Sequence, residues 1–108
     1  MTIEEKNGEE KLVLYINGRI DTSTAPELDA FISGKLDRTE ELVLDFTEVQ
    51  YISSAGLRVL LSAYKAMEKK KGSMVIRGVN KEIEETLYIT GFLEFLTVEG
   101  ARRKGEST

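Results

Sequence analysis

Short runs of β-favouring apolar residues alternate along this chain with apolar stripes at helical spacing, and that alternation restricts the fold more than any other feature. Leu12 to Ile16 is an almost continuous apolar run within residues 11–17, which predicts a buried strand ended by Gly18. A weaker strand is expected near residues 2–6, joined to it through the hairpin-favouring pair Asn7-Gly8. Residues 41–46 give a second buried strand whose Leu42, Val43, Leu44 and Phe46 fill both faces, and residues 74–79 give another. The last apolar stretch, Phe92 to Val98, reads as a strand or an extended cover. The polar segment from Gly100 reads as a frayed tail.

Helical stripes lie between these runs. The first helix is expected at about residues 25–36, with Ser23 or Thr24 placed to cap it, Pro26 in its first turn, and Glu27 and Asp29 near its positive end. Its apolar face is Leu28, Phe31, Ile32 and Leu36, helped by the stem of Lys35. The second helix carries Leu57, Leu60, Leu61, Tyr64 and Met67 on one face and runs to about Lys71, with Gly72 as its stop. A third, over residues 81–90, is built on Ile83 and Leu87 and stopped by Gly91. The order β-β-α-β-α-β-α-β predicts an α/β fold: one small domain over residues 1–108, its core at about 3–98. Its sheet is mixed and mostly parallel, with amphipathic helices packed against it.

Composition excludes several chemistries. There is no cysteine and no histidine, which removes disulfides, Cys or His metal sites, Cys nucleophiles and every Ser-His-Asp arrangement. Asp21, Asp45 and Glu48 show no recognised metal-ligand spacing, so neither metal nor cofactor is expected. A net charge of −4 lacks the basic footprint of a nucleic-acid binder. The N-terminal sequence shows no basic region followed by an apolar run, and no apolar run approaches a membrane span. A cytoplasmic, soluble protein is therefore expected. A monomer is expected as well.

The segment from Val49 to Leu61, VQYISSAGLRVLL, runs from a strand through a loop into the second helix. One serine there is explained as a cap for the free N–H groups of the first turn. Ser53, Ser54, Ala55 and Gly56 together allow a second reading, in which small residues leave the backbone open to close approach by another molecule. A hydroxyl at that position is also a candidate phosphate acceptor, because a helix start tolerates negative charge.

At YISSAGLRVLLSAYK the chain resembles the STAS domains, the family of bacterial anti-sigma-factor antagonists. LVLDFTEVQYISSAGL matches the family's strand, phosphorylation loop and helix start in order, and Gly18-Arg19-Ile20-Asp21 matches its recurrent Gly-x-(Ile/Leu)-Asp loop. The terminal GFLEFLTV fits as well, so the resemblance spans about residues 3–98. Aligned on Gly56-Leu57, the family's phosphorylated serine falls on Ser54, with Ser53 the alternative acceptor at the place of the family's aspartate.

The resemblance implies a protein that is a binding partner and a substrate, not an enzyme. Unphosphorylated, it engages an anti-sigma factor that is also a serine kinase and so frees a sigma factor. Phosphorylation ends the complex, and a PP2C-like phosphatase using Mn or Mg resets it. The implied partner surface comprises Gly18, Asp21, Thr22, Ser53, Ala55, Gly56 and Arg58. Asp21 also has a purely local reading, as a turn residue bonded to nearby backbone. The alternatives are a STAS scaffold or transport-associated module in which Ser54 is only a cap, and a small enzyme relying on the acidic residues.

Overall fold

The computed structural model describes residues 1–100. Five strands, β1 (Thr2–Asn7), β2 (Lys11–Ile20), β3 (Glu41–Ile52), β4 (Ser73–Val79) and β5 (Thr97–Gly100), form one sheet in sequential order. β1 and β2 are antiparallel, and every later pair is parallel. The parallel strands are joined through the helices α1 (Ala25–Ser33), α2 (Ser54–Lys69) and α3 (Lys81–Ile89). The expected α/β class and element order are both observed.

One face of the sheet makes the core. Leu12, Leu14, Ile16, Leu42, Leu44, Phe46 and Ile76 form a single buried cluster with Leu28 and Ile32 of α1, Leu60 and Met67 of α2, and Ile83 and Leu87 of α3. Side chains alternate across a strand, so the intervening residues emerge on the opposite face. There Tyr15, Asp45 and Arg77 lie side by side in register, with Arg77 Nε 2.8 Å from Asp45 Oδ2 and Arg77 Nη2 3.3 Å from the Tyr15 hydroxyl.

Local details depart from the expectations, each for a physical reason. β2 does not end at Gly18. It bends there, with φ at 117° and a register irregularity against β3, and continues to Ile20. Asn7-Gly8 does not make a two-residue hairpin. The turn is longer, Gly8 N donates to Lys11 O, and the left-handed position falls on Glu10. α1 stops at Ser33, and Leu36 is buried in a separate 3₁₀ turn, Leu36–Arg38.

The buried side of α2 is Gly56, Leu57, Val59, Leu60, Ala63 and Met67. Leu61 and Tyr64, expected in the core, are only half-buried. Small residues let α2 lie close to its neighbours, which turns the buried face toward Gly56 and Ala63 and away from Leu61. At the end of α2 the left-handed residue is Lys71, not Gly72. Gly72 N donates to Met67 O and Lys71 N to Glu68 O, the paired bonds of a Schellman cap. Phe92 to Val98 resolves into a 3₁₀ turn, Phe92–Glu94, and the start of β5. Gly100, expected in the tail, pairs with Val79, and the remainder of that expected tail lies outside the described residues.

Candidate partner-binding and phosphorylation site

Two loops leave the same end of the sheet side by side. Ile20 and Ile52 are register partners at the ends of β2 and β3, and Ser53 N donates to Ile20 O at 2.8 Å. The residues that follow, Asp21 and Ser53 to Ser54, therefore emerge as neighbours although far apart in sequence. This is the juxtaposition expected for loops following parallel strands.

The two serines divide the work. Ser53 occupies the N-cap with extended backbone, and its Oγ accepts from Gly56 N at 3.3 Å. Ser54 is the first helical residue and is exposed, so its hydroxyl is not needed for capping. Four residues on, Arg58 is exposed on the same helix. Thr22 is exposed on the adjacent loop, while Ala55 and Ser53 are half-buried.

Asp21 organises its own loop. Its Oδ1 accepts from Ser23 N at 3.0 Å, Ser23 Oγ at 2.9 Å and Thr24 N at 3.1 Å, and its carbonyl accepts from Ala25 N at 2.8 Å. Asp21 thus closes the turn that leads into α1, and neither Ser23 nor Thr24 caps the helix through its side chain; Thr24 holds the cap position without a side-chain cap bond. The Ser23 hydroxyl, followed by the Thr24 and Ser23 amides, holds the Asp21 carboxyl below its ordinary value against the smaller opposing effect of burial. The local reading of Asp21 is satisfied in full, and its loop lies beside the one that carries the serines.

Gly56 is buried and does not open the backbone to a visitor. A Cβ there would stand 2.7 Å from both Ile20 Cγ2 and Ile52 Cγ1, so the missing side chain makes room for the sheet. Gly18 likewise serves the bend in β2, where a Cβ would lie 3.2 Å from Met1 Cα. Gly56 shapes the surface from within, a correction to its placement on it, while Gly18 is half-buried at the bend. Among the alternative acidic residues, Asp45 is paired with Arg77 on the open sheet face, away from Asp21 in the register. The described residues contain no acidic group of three or more able to hold a metal.

Arg19 and Tyr51 carry no signal in the sequence that marks them for this site. They are register partners, with the Arg19 guanidinium 4.3 Å from the centre of the Tyr51 ring and its Nε 3.8 Å from Asp21 Oδ2. The contact ties the Asp21 loop to the strand end that delivers Ser53.

A fold of this order, with an exposed serine opening α2 beside an acidic loop, defines a small α/β regulatory module. The chain belongs to the STAS domain family, whose model matches residues 1–104. It is 31% identical over 103 residues to BtrV of Bordetella bronchiseptica, described as an anti-sigma factor antagonist, covering 94% of this chain and 87% of that protein. It is also 31% identical over 91 residues to the anti-sigma-B factor antagonist of Listeria monocytogenes, covering 81% and 80%. Its fold resembles that of SpoIIAA from Bacillus in the phosphorylated form, with a TM-score of 0.74 at 13% identity and 98% of each chain covered. No helix among the described residues is long and apolar enough to cross a membrane.

Proposed function

We propose that this chain is an anti-sigma-factor antagonist, a partner switch set by phosphorylation of Ser54. The observation that carries the reading is the separation of roles at the start of α2: Ser53 makes the cap and Ser54 keeps a free, exposed hydroxyl. In the unphosphorylated state Asp21, Thr22, Ser54 and Arg58 face an anti-sigma factor that is also a serine kinase, and its capture releases a sigma factor. The chain acts as binding partner and phosphate acceptor rather than as a catalyst, as a cytoplasmic monomer.

The switch is electrostatic and local. Transfer of the γ-phosphoryl group of ATP to Ser54 Oγ adds about −1.5 to −2 charge beside the Asp21 carboxylate, on a chain already at −4. A partner surface complementary to a neutral hydroxyl then meets a dianion. A coupling of about 1–3 kcal/mol changes affinity roughly 5- to 150-fold, with no rearrangement of the fold required. A PP2C-like phosphatase restores the hydroxyl.

The test is incubation with ATP and the serine kinases of the same genome, followed by mass spectrometry of the modified residue. Phosphate is expected on Ser54, retained in Ser53→Ala and lost in Ser54→Ala, which should bind the partner constitutively. Phosphate on Ser53 alone would move the site by one residue. No phosphate on either serine from any of those kinases would leave a binding scaffold instead.

A further inference from the structure

We propose that the groove between α3 and the end of β3 docks a basic segment carrying an apolar anchor, contributed by the same protein partner that engages Ser54. The proposal rests on the functional reading above and adds to it a second contact surface and the chemistry of its occupant.

The groove has a volume of about 340 Å³. One wall is Tyr51 and Ile52, the other a stripe on α3 of Glu82, Glu85, Thr86 and Ile89, spaced i, i+3, i+4 and i+7. Ile89 is 72% exposed and Tyr51 41%, although both are large and apolar in body. Exposed groups of this kind, rimmed by polar ones, mark interaction surfaces. Arg19 stacks on the Tyr51 ring, which holds the tyrosine in place and lowers the entropy lost when a partner covers it.

The charge of the groove selects the occupant. Glu82 and Glu85 make no ion pair among the described residues, and Arg19, which lies on the Tyr51 ring, is paired with Asp21 and is not among the groove's lining residues. An occupant that buries its apolar side chain against Ile89 and Tyr51 must bring cations to these carboxylates or leave them facing an unmatched surface. The same carboxylates disfavour nucleic acid and anionic lipid. Tyr51 and Ile52 lead directly into Ser53 and Ser54, so a segment lying in the groove belongs to a partner already positioned over the serine.

The probe is a pair of synthetic peptides with identical leucine positions, one spaced by lysines and the other by glutamates, titrated into the ¹⁵N-labelled full chain at low salt. The lysine peptide is expected to shift the amides of Tyr51, Ile52 and residues 82–89, and the glutamate peptide is not. Affinity for the lysine peptide should fall at least about tenfold in the Glu82→Lys/Glu85→Lys double variant and in Ile89→Ser, substitutions at exposed positions that leave the buried Ile83 and Leu87 of α3 unchanged. Shifts outside the groove, no shifts, or equal binding of both peptides would overturn the proposal. Concentration-dependent shifts in the groove without peptide would assign it to a second copy of this chain and overturn it as well. Neither peptide carries phosphate or needs a kinase, so failure here and failure of Ser54 to accept phosphate are separate results.

Discussion

Gly56 of α2 lies directly against Ile20 at the end of β2, close enough that a Cβ on the glycine would meet the Ile20 carbonyl at 3.2 Å as well as its Cγ2 at 2.7 Å. The contact sets how near the helix start sits to the two loops and so positions Ser54. Gly56→Ala gains helix propensity but must displace a backbone oxygen and two buried isoleucine side chains. The expected outcome is a net loss of about 1–3 kcal/mol, larger for Gly56→Val, measured by urea denaturation. A variant as stable as the parent would show that α2 is free to shift and that the glycine is available to a partner after all.

The two serines should separate in stability before any partner is added. Ser53→Ala removes the acceptor for Gly56 N, and the 3.3 Å bond places the cost near the lower end of the cap range, about 0.5–1 kcal/mol. Ser54→Ala removes an exposed hydroxyl with no structural duty and should stay within about 0.5 kcal/mol of the parent. Equal losses would mean that both hydroxyls serve the helix.

The elements were legible because each strand is a short run of β-favouring residues and each helix has its own apolar stripe. The serine site was legible for a related reason, since its location depends on the strand-to-helix junction alone. The orientation of α2 was not. Leu57, Leu60, Leu61 and Tyr64 draw the eye as a stripe of large residues, yet close packing is decided by the small ones, and Gly56 and Ala63 face inward while Leu61 and Tyr64 are half out. The role of Gly56 depends on neighbours from β2 and β3, which no local pattern reveals. The Arg19–Tyr51 contact needs the register of two strands whose pairing slips near Gly18. Asp21 was half legible: the turn chemistry was visible, but not that it would draw Ser23 and Thr24 into its own turn instead of leaving their side chains to cap α1.

The cap of α2 offers a stabilising change. Lys71 sits at φ 63°, where a side chain crowds the backbone, whereas the adjacent Gly72 is needed for space. A Cβ on Gly72 would lie 2.8 Å from Glu40 O and 2.7 Å from Met67 Cε. Lys71→Gly is expected to gain about 0.5–1 kcal/mol after the added freedom of the unfolded chain is offset, and Gly72→Ala to lose about 1–3 kcal/mol. Thermal melts of the two variants should move in opposite directions. A Lys71→Gly protein that melts lower would show that the lysine side chain contributes more to the cap than its backbone conformation costs.

On the open face of the sheet, Asp45 titrates against Arg77. Burial alone raises the Asp45 pKa, but the Arg77 hydrogen bond, the Thr47 bonds and the Arg77 charge outweigh it and hold the carboxyl below its ordinary value of 3.8. A carboxylate depressed by folding contributes stability that is fully present above its unfolded pKa and is lost as pH falls through the folded one. The window therefore opens near pH 4 and extends below it, and neutral pH lies on the plateau. Asp45→Asn should cost about 1 kcal/mol at pH 7, at the modest end for a charged hydrogen bond because Arg77 is partly in solvent. Chemical denaturation repeated at falling pH should show the gap between parent and Asp45→Asn narrowing below about pH 4. A gap that stays constant down to about pH 2 would mean that the pair adds no net stability through its charge, and that the Asp45→Asn variant loses only shape and hydrogen-bond geometry.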